Sequence, residues 1–162
     1  MQTSLTDNWR PDWATFEAQA TAMEITFDDP DLDTFLSKVG VVEEQKDCFR
    51  IYEYVYSDVL YWGDLFEGEQ DDHESIHFKR LLDRPKYVHF DGYYLPQHGP
   101  SLRTQKEWTK RFPHLQRVMN VGGYWEYNAL SGLYVVIPAE KLSDFPEFED
   151  HTPRILDEPP SE

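Results

Sequence analysis

The chain has 162 residues and a mass of 19.2 kDa, the size of one ordinary domain, and its 40% apolar and 15% aromatic content supplies enough core to exclude disorder throughout. Its longest apolar run, residues 133–137, is far short of the roughly 20 residues of a membrane-spanning helix, and residues 1–8 lack the positive start and apolar block of a signal peptide. With 31 acidic against 15 basic residues, a net charge of −16 and a pI near 4.6, an evenly charged surface would repel phosphate backbones and anionic membranes.

In chain order, residues 1–10 read as a mobile N-terminus, followed by a helix over residues 13–23 in which Trp13, Phe16, Ala20 and Met23 share a face. The Asp-rich stretch Asp28, Asp29, Asp31 and Asp33 reads as solvated caps before a short helix over residues 32–38; the alternating ligands and glycine of a calcium loop are missing. Residues 48–61, rich in Ile, Val, Phe and Tyr, predict a strand apolar on both faces, with a helical stripe as the alternative.

Residues 71–83 predict a helix, opened by an acidic cap and stopped at Arg84–Pro85. Residues 86–95 alternate as a strand, with a tight hairpin at Asp91-Gly92 as the alternative. A basic helix is expected over residues 101–111, ended by Phe112–Pro113, with a further helical turn over residues 114–121. Two aromatic strands joined by five turn-like residues make residues 124–138 the best hairpin signal. The order lacks regular βαβ alternation, so the fold class is α+β: a single domain over residues 11–138 and an acidic, proline-containing tail over residues 139–162.

The charge is unevenly distributed. Residues 79–118 hold nine basic and three acidic residues, a local +6, which leaves −22 for the remainder. An acidic body neutralised in part by its own basic segment is one consequence, and two electrostatic faces offered to partners is another.

One segment matches a catalytic pattern. His73-Glu74-Ser75-Ile76-His77 resembles the His-Glu-x-x-His signature of zinc metallopeptidases, the zincins. The resemblance implies zinc on His73 and His77, one helical turn apart, with Glu74 activating a metal-bound water. The residues themselves offer a second account: with Asp71 as N-cap, Glu74 falls at the third helical position and completes a capping box. Glycine-rich phosphate or dinucleotide loops and a nucleophile elbow are absent. The single Cys48 has no disulfide partner, points to a reducing cytoplasm, and lies in an acidic, apolar setting that raises a thiol pKa, as suits a structural cysteine.

These observations rank three functions. The first is a non-enzymatic interaction or inhibitory protein that docks on a basic protein partner, in one form by imitating nucleic-acid charge. Its contact residues are Asp28, Asp29, Asp31, Asp33, Asp64, Glu67, Glu69, Asp71 and Asp72, and it needs no cofactor. The second is a zinc hydrolase using His73, Glu74 and His77. The third is a nucleic-acid binder through a basic patch of Arg103, Lys106, Lys110 and Arg111; direct nucleic-acid binding is not expected, because a duplex reaching the patch must also approach acidic surface.

Overall fold

The computed structural model describes residues 9–28, 36–55, 57, 59–72, 74–93, 104–128, 132–154 and 156. Among the described residues, eight strands, antiparallel except where the barrel closes, and a few short helices give the α+β class. The contacts gather into two compact units, divided between Pro85 and Lys86.

In the first unit, β1 (Thr21–Thr26), β2 (Leu36–Gln45), β3 (Cys48–Ile51), β4 (Leu65–Asp72) and β5 (Ser75–Asp83) close into a barrel. Each strand runs antiparallel to the one before it, so in a five-stranded meander the last runs in the direction of the first. β1 and β5 therefore close the barrel as a parallel pair, with Ile25 opposite Ile76. Closure leaves no open sheet edge. Met23 and Ile25, Val39 and Val41, and Phe49 and Ile51 alternate inward at the two-residue period of a strand and pack with Phe66 and Ile76. A Cβ at Gly68 would lie 2.5 Å from Ile76 Cγ2 and 3.0 Å from the His77 carbonyl oxygen, so only glycine lets β4 and β5 approach this closely.

Four sequence expectations change here. Residues 71–72 and 75–83 are strand, with Glu74 in a turn, instead of a helix: β5 is bonded to β4 on one side and β1 on the other, and these ladders outweigh the helix preference of Glu, Lys, Arg and Leu. The expected helix over residues 13–23 is confined to α1 (Trp13–Gln19), capped by the Asp12 carboxylate, which accepts from the Thr15 amide at 3.1 Å; the chain turns extended at Ala20 and continues as β1. Residues 36–38 belong to β2, and 32–35 lie outside the described residues. Only residues 48–51 of the expected 48–61 strand are in the sheet, yet Tyr52, Val55 and Leu60 remain buried, so the segment is central after it leaves the ladder.

Tyr52 gathers an aromatic cluster: its ring stacks on Phe16 at 5.1 Å and meets Trp9 and Trp13 edge-on. The same unit buries two arginines. Arg50 donates to Glu44 at 2.7 Å, to Asp83 at 3.0 Å and to the Gly63 carbonyl at 2.9 Å. Arg84 forms a two-pronged bond to Asp64, both contacts at 2.9 Å, and the Tyr61 amide donates to the same carboxylate at 2.8 Å.

The second unit holds a three-stranded antiparallel sheet in the order β6 (Tyr87–Tyr93), β8 (Gly132–Pro138), β7 (Tyr124–Asn128), with α2 (Gln105–Arg111) and α3 (Pro113–Asn120) between β6 and β7. The aromatic hairpin is present as expected, Trp125 opposite Val135. Helix α2 starts later than residue 101: Thr104 caps it, and Glu107 returns the bond in a capping box. Pro113 opens α3 at a position where its missing N–H costs no hydrogen bond. Leu115 and Val118 of α3 pack with Trp125, Val135 and Ile137. A Cβ at Gly123 would lie 2.5 Å from the Val136 carbonyl oxygen, so glycine is required where α3 passes into β7. Beyond β8, in what the sequence presents as tail, two 3₁₀ turns (Ala139–Asp144 and Pro146–Phe148) carry Phe145 and Phe148 into this core.

Candidate interaction surface

The division at Pro85 sorts the charge. Residues 1–85 hold 20 acidic and 7 basic residues, a net −13, residues 86–156 hold 8 of each, a net of zero, and the last six residues add −3. The buried arginines Arg50 and Arg84 are matched by the buried Asp64 and Asp83, so burial removes no net charge from the barrel unit. The +6 window of residues 79–118 is not one structural feature: Lys79, Arg80, Asp83 and Arg84 belong to the barrel unit and its other six basic and two acidic residues to the sheet unit.

Strand register assembles the acidic residues. Ile25 and Ile76 point into the barrel, so Glu24, Thr26 and His77 point out from β1 and β5; Phe66 and Gly68 are buried, so Glu67, Glu69 and Asp71 point out from β4. The β4–β5 turn adds Glu74, whose carbonyl oxygen accepts from the Glu24 amide at 2.7 Å. Part of this face is neutralised internally. Arg80 holds Glu67 at 2.9 Å, Lys79 holds Glu69 at 3.2 Å, and His77 Nε2 lies 2.9 Å from an Asp28 carboxylate that is 88% exposed. Glu24, Asp71 and Glu74 make no ion pair among the described residues.

Asp64, expected on this surface, has no exposed area and belongs to the Arg84 pair. Burial raises its pKa from 3.8 to about 6, against the Arg84 hydrogen bonds and charge and the Tyr61 amide bond, which pull it down. Asp72 lies in β4. Asp29, Asp31 and Asp33 lie outside the described residues, as do Arg103 and His73.

The strand also alters the zincin resemblance. On a helix His73 and His77 would sit about 6 Å apart along the axis, one turn above the other, and that helix is absent: Glu74 lies in the turn and His77 within β5. The His77 ring is held by Asp28 through Nε2 and by Thr26 Oγ1, 3.1 Å from Nδ1. Among the described residues no group of three or more His, Cys, Asp or Glu is placed to hold a metal ion. Cys48 sits as its sequence setting implies: burial raises its pKa, and the Glu67 and Asp47 charges add to the effect.

The basic residues of α2 belong to the sheet unit. Lys106 and Lys110, four residues apart, face α3, where Pro113, Gln116 and Arg117 complete a shallow groove of about 430 Å³ that also includes Thr109. Arg111 is elsewhere on the helix, its guanidinium 6.0 Å from the Phe112 ring. Arg117 is the member that a reading of the basic helix alone omits. The signal for it was the proline after Phe112, which starts a new helix whose Arg117 lines the same groove as Lys106 and Lys110. On the sheet, Tyr127 is 49% exposed and its ring lies 4.9 Å from that of Trp108, tilted by 31°.

No family model and no curated protein matches the chain. Among solved structures, a hypothetical protein from Neisseria gonorrhoeae is similar at 16% identity over 86% of this chain and 97% of that one, with a TM-score of 0.49.

Proposed function

We propose that the protein is a non-enzymatic interaction module whose acidic barrel unit docks on a basic surface of a protein partner. The observation that carries the reading is the charge division, −13 up to Pro85 against zero over the sheet unit. Carboxylates without an internal cation, Glu24, Asp71 and Glu74, keep their charge for a partner, whereas Glu67 and Glu69 must give up Arg80 and Lys79 to contribute. Long-range attraction of this kind accelerates encounter and weakens with salt.

The test captures partners at about 0.05 M and about 0.3 M salt, then repeats the binding with purified partner and a Glu24→Lys, Asp71→Lys, Glu74→Lys variant. The expected result is a basic partner lost at the higher salt and bound at least about tenfold more weakly by the variant. Displacement of that partner by duplex DNA would support the charge-mimic form. Binding indifferent to salt, or equal in the variant, overturns the proposal.

A further inference from the structure

The groove between α2 and α3 has a chemistry the acidic surface does not share. From Thr104 to Asn120 the chain holds Lys106, Lys110, Arg111 and Arg117 against Glu107 alone, a local +3 within a unit of zero net charge. Three of these four cations line one hollow. Lys106 and Lys110 make no ion pair among the described residues, and like charges four apart on a helix repel one another. The third cation is positioned by its neighbours: Glu147 accepts from one terminal nitrogen of Arg117, and the guanidinium lies 5.2 Å from the Phe145 ring. Glu147 opposes an incoming anion, so the hollow carries a net +2, and the remaining Arg117 donors are held in place.

We infer that this groove binds a small anion bearing two or more phosphate groups. The Thr109 hydroxyl donates to the Gln105 and Lys106 carbonyls, each at 3.1 Å, and the Gln116 amide donates one N–H to Asn120 at 2.9 Å, so the neutral side chains offer at most one further donor. Recognition falls to the cations, and the Pro113 ring and lysine stems supply an apolar wall. Lysine binds phosphate as a point charge without needing the planar geometry of a carboxylate, and adjacent phosphates place several charges within a hollow of this volume. A longer polyanion has less to gain. A duplex extends past the groove into the field of a chain with net charge −16, whereas a small ligand engages the local charge alone.

The probe is inorganic tripolyphosphate, titrated calorimetrically into the full chain at about 0.05 M and about 0.3 M salt. One saturable site is expected, weaker at the higher salt, at least about tenfold weaker in the Lys106→Gln, Lys110→Gln double variant, and unchanged in Lys79→Gln of the barrel. Both groove lysines lie on the helix exterior, so circular dichroism of the double variant should match the parent; Lys110→Gln alone should give an intermediate loss. Absence of saturable heat up to about 1 mM probe at low salt overturns the inference, as does full binding by the double variant. Tighter binding of a tetraglutamate peptide or of duplex DNA through the same lysines would replace the small phosphate ligand with an acidic segment or a nucleic acid.

Discussion

The two units handle charge in opposite ways. The barrel unit buries two arginines and two aspartates within its fold and leaves a large negative excess outside, whereas the sheet unit keeps its ion pairs, Arg117–Glu147 and Arg154–Asp91, partly exposed and balances acid with base. A buried pair is costly to assemble and more costly to break, because the survivor is a desolvated charge; an exposed pair is screened by water in both circumstances. The barrel therefore concentrates its electrostatic vulnerability at a few named residues. In the sheet unit, electrostatics is chiefly a surface property.

The largest effect that would sharpen this contrast comes from Arg84→Met. It strands the Asp64 carboxylate in a site with no exposed area and should cost about 3–5 kcal/mol at pH 7 by urea unfolding. The pH dependence fixes the cause. Asp64 titrates near 6 in the folded protein and near 3.8 unfolded, so the folded state holds the extra proton between these values. Its contribution to stability is therefore greatest below about 4, declines as the pH rises towards 6 and is level above that. Without Arg84 the folded pKa moves higher still, so the deficit of the variant should shrink as the pH falls through that higher value towards about 6 and level off below it, where both proteins take up the proton. A deficit independent of pH would attribute the loss to packing of the arginine stem and break the electrostatic contrast.

A smaller effect tests whether the units are equally intolerant of volume where backbones approach. Gly68→Ala in β4 meets Ile76 and the His77 carbonyl, and Gly123→Ala before β7 meets the Val136 carbonyl and Val118. Each should cost about 1–3 kcal/mol, read as a shift in the unfolding midpoint. Gly123→Ala should be the worse of the two, since its nearest obstacle is backbone and the nearest at Gly68 is a side-chain methyl. The reverse order would show that β8 yields more readily than the barrel wall.

The smallest effect belongs to the exposed pairs. Lys79→Gln and Arg117→Gln should each change stability by less than about 1 kcal/mol, with the difference fading at high salt. A loss from Lys79→Gln comparable to that from Arg84→Met would show that the outer face of the barrel depends on its ion pairs as much as its interior does.

What could be read in the chain depended on whether local chemistry and tertiary environment agreed. The 124–138 hairpin and the helical segment after Phe112–Pro113 follow from neighbours in sequence: aromatic and branched residues flanking turn formers, and a proline at a helix start. A capping box forms at Thr104-x-x-Glu107, whereas the sequence suggests a helix start at residue 101, and the Asp71-x-x-Glu74 spacing that reads as a capping box lies at the β4–β5 junction. Only the tertiary structure separates the two. Residues 75–83 carry good helix formers, but pairing with β1, some fifty residues earlier, and with β4 satisfies their backbone as a strand, and a single sequence does not display that partnership. The same holds for charge. The sequence determined the excess of acid over base, but whether a carboxylate faces water, as Asp71 does, or is buried against an arginine, as Asp64 is, was decided by which strands closed around it, because burial is set by residues distant in the chain.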